Sequence, residues 1–254
     1  MGSVAERDVA RTWSLAALGL LGILTWNGWA IGEMPPSSGG LRLVLDPGHG
    51  GKETGARGPG GVLEKEVALT LARELREEAR SMGGFQVRLT REEDETFPWV
   101  RRRGAGAGAE LWVSIHLNAD LEGKARGPRV FYAQTGLSEE PGRDANDKEK
   151  KGSTDVGAIL QDMTRTKWEN ESVLLAEHLQ RALDAAWGLG SRASRPAPIP
   201  GFRDLECPAV LMEVGFLTNQ ADLKALSDPG RRRQLVKAIL KGVRSFLQDP
   251  RRSH

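Results

Sequence analysis

Two rhythms of apolar and polar residues alternate along the chain from residue 41 onward. Short apolar runs at 42–46 (RLVLD), 110–115 (ELWVSI) and 208–214 (PAVLMEV) have no polar face, as in strands covered on both sides. FQVRLT (85–90) and PRVFYA (128–133) read as two further strands. Between them lie stretches of helical period. Residues 64–82 place Val67, Ala68, Leu71, Ala72, Leu75 and Ala79 on one face, and Gly83-Gly84 ends the pattern. Helices are also expected over 97–109, 155–168, 171–187 (Leu175, Leu179, Leu183, Ala186) and 231–247 (Leu235, Ala238, Ile239, Gly242, Val243, Phe246). Glycine-rich residues 48–61 and Gly/Pro/Arg-rich 188–201 read as loops, and 137–153 as a solvated charged loop. No internal repeat is visible. Strands alternating with amphipathic helices predict an α/β fold: a single, mostly parallel twisted sheet with helices on both faces, and any site at the carboxyl ends of central strands.

Composition narrows the class. The chain has 254 residues, 39% hydrophobic and 28% charged, which is that of a globular domain with a real core. A net charge of +2 gives no nucleic-acid footprint. One cysteine, Cys207, excludes an internal disulfide framework and a cysteine-based zinc cluster, so a metal would need histidine and carboxylate.

The N-terminal region adds a location. Thr12 to Gly32 is uncharged and follows Arg7 and Arg11. It is long enough to span a bilayer, and its LAALGLLGIL centre before Gly28-Trp29-Ala30 also fits a signal peptide. Either reading places the remainder outside the cytoplasm, in the periplasm or cell envelope. Residues 1–40 are thus expected to be a leader or membrane anchor plus linker, 41–248 the functional domain and 249–254 a tail.

Chemistry gathers at three strand ends. The first offers His49 in Asp46-Pro-Gly-His-Gly-Gly51, the third His116 in Ser114-Ile-His-Leu-Asn118, and the last Glu213 in Met212-Glu-Val-Gly-Phe216. If these strands are parallel neighbours, the side chains share one crevice, and imidazole with carboxylate suits zinc. The residues alone leave the carboxylate open among Glu53, Glu64, Glu66 and Glu213, and Glu64 and Glu66 are equally explained by a helix N-terminus. Glu213, at the end of an apolar strand, needs a partner if buried. His178 and His254 read as solvent-exposed, Cys207 as packing, and Asp46 and Asn118 as turn caps.

The stretches LVLDPGHGG, GPGGVLEKEVAL, VRLTREED, ELWVSIHLNAD, GPRVFY and PAVLMEVGFLTN, in this order, resemble the zinc-dependent N-acetylmuramoyl-L-alanine amidases that cut bacterial peptidoglycan. The resemblance covers about residues 41–248. It implies one zinc ion held by His49, Glu64 and His116, with Glu213 as the catalytic glutamate and Asn118 as a substrate contact. The substrate implied is peptidoglycan, and an activator protein is a possible partner, since some relatives block the zinc with a helix that a partner displaces; here that region is 137–170. Glu53 stands where the family usually has aspartate, and residues 97–109 lack the usual Ala-Asn pair. Two other classes fit the same residues: a zinc peptidase acting on stem peptides, and a non-catalytic wall-binding regulator.

Overall fold

In a computed structural model, which describes residues 39–134 and 156–252, the chain runs β1 (Leu41–Pro47), α1 (Glu64–Met82), β2 (Phe85–Leu89), α2 (Trp99–Ala105), β3 (Leu111–Asn118), β4 (Arg129–Ala133), α3 (Val156–Trp187), β5 (Arg195–Ala197), β6 (Ala209–Phe216), α4 (Gln220–Ser227) and α5 (Pro229–Leu247). The 12–32 segment, the charged loop 137–153 and His254 lie outside the described residues. No helix among the described residues is long and apolar enough to cross a membrane.

The strands form one sheet in the order β2-β1-β3-β6-β4-β5. All neighbours are parallel except β4, which runs antiparallel to β6. The three apolar strands β1, β3 and β6 are adjacent and central, as their lack of a polar face requires. Helices cover the two faces unequally. Leu43, Leu45, Val113, Ile115, Met212 and Val214 pack against the apolar stripes of α1, α3 and α5. The alternate positions, Val44, Trp112 and Ala209, face Trp99 of α2 together with Phe202 and Cys207. Burial pushes the Cys207 thiol up to about 12, which makes it an unreactive packing group.

Local signals explain most boundaries. Gly83 ends α1 at φ 68°, its N–H bonding back to the carbonyls of Ala79 and Arg80. Asn219 and Asp228 cap α4 and α5 with side-chain oxygens. The structure corrects the expectation of separate helices at 155–168 and 171–187: α3 is continuous over 32 residues. Between Gly157 and Gly188 the sequence holds no glycine or proline, so nothing breaks it. Near its start Ile159, Leu160 and Met163 are open to solvent.

His178 is likewise not the exposed residue its place on the helix suggests. Its side chain is 11% exposed, and Nε2 lies 2.7 Å from Asp249. Arg251 and Arg252 reach Glu177 and Glu171 of the same helix. Residues 249–252 are therefore fastened along α3.

Candidate active site

The turn after β1 is built before its chemistry can be. Gly48 N–H extends the pairing by donating to the Ile115 carbonyl at 2.9 Å. His49 then adopts φ 58°, the only positive φ of a non-glycine among the described residues. That conformation is unfavourable for a side chain and must be held by its surroundings. Two buried arginines hold it. Arg102 donates to the carbonyls of Pro47 (2.8 Å) and His49 (2.6 Å), and Arg91 to those of Pro47 (3.1 Å) and Gly48 (2.9 Å). Burial first, and the Arg102 charge second, draw Arg91 down to about 10, so it stays cationic at neutral pH. Asp46 fixes Arg102 in turn: it accepts from Arg102 at 2.7 Å, Thr90 at 2.5 Å and Ser114 at 2.8 Å, all in the interior. Asp46 is thus a buried anchor and not only a turn cap.

Glu64 opens α1 and is 3% exposed, whereas Glu66, two positions further on, faces solvent, and it is Glu64 that meets the histidines. Its Oε2 lies 3.1 Å from His49 Nε2 and its Oε1 2.9 Å from His116 Nδ1. The amides of Ala56 and Leu117 also donate to it, at 2.8 and 3.0 Å. Burial alone would raise the Glu64 carboxyl, but the hydrogen bonds with His116, His49, Ala56 and Leu117 outweigh it and hold the group well below the usual carboxylate range.

One ligand atom from each of His49, Glu64 and His116 lies within 4.8 Å of the others. Bonds of about 2.0–2.1 Å to a tetrahedral ion set ligand atoms roughly 3.3 Å apart, and each histidine lies near that spacing from one of the two Glu64 oxygens. Glycine makes the cluster possible. A Cβ on Gly48 would sit 2.6 Å from His116 Nδ1, and one on Gly55 would sit 2.6 Å from His49 Cδ2. The donor set and its spacing fit a divalent metal ion.

Glu213 pairs directly with His116 across β3 and β6, before the register shift between His116 and Asn118. Burial raises its carboxyl above the ordinary value, opposed by the Asn118 hydrogen bond and the His116 charge. Asn118 has two tasks. Its Oδ1 accepts from the Ala119 amide at 2.7 Å, as a local cap, and its Nδ2 donates to Glu213 Oε2. The structure thus brings together His49, Glu64, His116, Asn118 and Glu213, and leaves Glu53 and Glu66 exposed outside the cluster. Sequence reasoning missed Arg91 and Arg102. The only available signal was arginine within the apolar-flanked VRLTREED stretch and the weak helix that follows.

A His–Glu–His cluster beside a half-buried glutamate, at the strand ends of an open α/β sheet, defines a hydrolase with a potential metal centre. The chain belongs to the amidase type 3 family, N-acetylmuramoyl-L-alanine amidase, which it matches over residues 43–245. It is 31% identical over 246 residues to N-acetylmuramoyl-L-alanine amidase AmiA of Escherichia coli strain K12, covering 91% of this chain and 85% of that one. Amidase AmiC2 of Nostoc punctiforme superposes with a TM-score of 0.63 at 28% identity, over 84% of this chain and 100% of the other. The CwlD amidase of Clostridioides difficile, solved in complex with the GerS lipoprotein, gives 0.64 at 25% identity, over 82% and 98%.

Proposed function

We propose that this chain hydrolyses the amide between N-acetylmuramic acid and L-alanine in peptidoglycan, with one zinc ion held by His49, Glu64 and His116 and with Glu213 as general base. The observation that carries the reading is the placement of Glu213 directly opposite His116, at the edge of the His–Glu–His cluster. When bound, zinc supplies Lewis acidity, polarising the amide carbonyl and making water more acidic. The residues of the chain do the rest. Glu64, kept ionised by its four hydrogen bonds, provides the negative charge of the ligand set. Asn118 holds one Glu213 oxygen and leaves the other for the attacking water. Glu213 removes the water's proton and returns it to the leaving alanine nitrogen; the rise that burial gives its carboxyl favours taking up that proton. The thin cover over this face leaves room for a bulky glycan-peptide.

The domain is taken to span 41–248, and the uncharged 12–32 stretch supports export to the cell envelope. The lipoprotein seen with CwlD supports the expectation of a protein partner for this domain as well.

The test is digestion of purified peptidoglycan by the zinc-loaded full chain, read by mass spectrometry. Stem peptides with a free N-terminal L-alanine are expected, and a chelator should abolish their release. Cuts elsewhere in the peptide would instead identify a peptidase. A second expectation concerns Gly48→Ala. The added Cβ displaces the His116 ring, so zinc affinity should fall by about 10–100-fold while the thermal midpoint changes little. Titration against a competing chelator measures this, and unaltered affinity would mean the ring is not held where the ion needs it.

A further inference from the structure

Arg129 opens β4 directly opposite Glu213 in the antiparallel pairing with β6, and Glu213 faces His116 across β3. Residues paired in this way point to the same face of a sheet. His116, Glu213 and Arg129 therefore form a row across three adjacent strands, on the thinly covered face. The row ends in an underused guanidinium. Arg129 is half-buried, and among the described residues its guanidinium makes one hydrogen bond, to the Pro128 carbonyl at 3.1 Å. Among the described residues no carboxylate lies within ion-pair distance of it. The two carboxylates that feel its charge, Glu213 and Asp184, are already bonded. Glu213 accepts from Asn118, and Asp184 from Gln180 and from Arg192, side chain and amide alike. A guanidinium has five N–H donors, arranged to grip a carboxylate with two parallel bonds.

We propose that Arg129 binds a carboxylate on the peptide side of the scissile amide, and so selects muramoyl peptides whose second residue keeps a free carboxyl group over those in which it is amidated. The inference rests on the amidase reading above. Three considerations direct it to the peptide half. The N-acetylated sugar carries no charge, so the anions of the substrate are on the peptide. Glu213 delivers its proton to the leaving nitrogen, so the peptide departs on the Glu213 side of the cluster, toward β4. Length also matches. One alanine spans about 3.8 Å, and a residue paired across the sheet is rooted about 5 Å away, so the carboxyl of the next residue falls within reach of a long side chain.

The experiment compares two soluble muramoyl peptides that differ only in carboxyl or carboxamide at the second residue, using the zinc-loaded full chain. The unaltered enzyme should show a KM about 10–100-fold lower for the carboxylate, the usual strength of a charge-assisted pair. Arg129→Gln should raise that KM to the level of the amide while leaving the KM for the amide and the thermal midpoint unchanged. Arg129→Lys should recover part of the preference, since it keeps the charge but loses the fork. A purely structural role would slow both substrates alike. Equal KM values for the two peptides with the unaltered enzyme, or an equal loss on both in Arg129→Gln, would overturn the proposal. Hydrolysis of neither peptide by the unaltered enzyme would overturn the amidase reading, and the proposal with it.

Discussion

Glutamine at position 213 should leave the chain folded and able to bind zinc, yet lower turnover by about 10²–10⁴-fold, the usual contribution of a positioned general base. The amide is the same size as the carboxylate, and its oxygen can still accept from Asn118. What it cannot do is take a proton. His49→Ala and His116→Ala should behave differently. Each removes one corner of the cluster, so both the ion and the activity are lost. Metal content by mass spectrometry, measured beside the rate of L-alanine-terminated peptide release, separates the two behaviours. A Glu213→Gln enzyme with nearly normal rates would end the general-base assignment.

Asp46→Ala should cost about 3–5 kcal/mol of stability, because it strands a charge instead of removing a pair. Arg102 is 9% exposed at its side chain and would remain interior without its counter-charge. The hydroxyls of Thr90 and Ser114 lose their acceptor as well. The damage extends beyond stability, since Arg102 also grips the Pro47 and His49 carbonyls that shape the strained turn. Urea unfolding should show a lower midpoint with little change in slope. A loss below about 1 kcal/mol would mean the cluster relaxes around the missing carboxylate.

The sequence made some of this legible and concealed the rest, for definable reasons. The α1 boundaries could be read because an apolar stripe ends at paired glycines. The central, doubly covered place of β1, β3 and β6 followed from their unbroken apolar character, whereas their being neighbours was a condition that the sheet order meets. The short edge strand β5 and the helix α4 were not foreseen. Three residues of β5, Arg-Pro-Ala, carry no periodicity at all. For α4 the signal was local, an Asn219 cap followed by eight residues of weak amphipathic character. β3 and β6 run past the expected ends at 115 and 214, so His116 lies within its strand and not beyond it, as Glu213 was expected to. The resemblance named His49, Glu64, His116 and Glu213, and the structure brings all four together. It could not name Arg91 and Arg102, which act through backbone carbonyls and carry no pattern, nor the pairing that sets Arg129 opposite Glu213.

The unequal cover of the two sheet faces ties the assembly of the site to folding itself. Along β1, β3 and β6 one set of alternate residues, such as Leu45, Ile115 and Met212, packs under the long helices. The intervening set supplies Asp46, His116 and Glu213. A slip of one residue in any of these pairings would send the reactive groups into the apolar layer and the leucines into water. No partly paired sheet could therefore hold a half-working site. Activity should vanish in step with tertiary structure along a denaturant titration, with no window in which one outlasts the other.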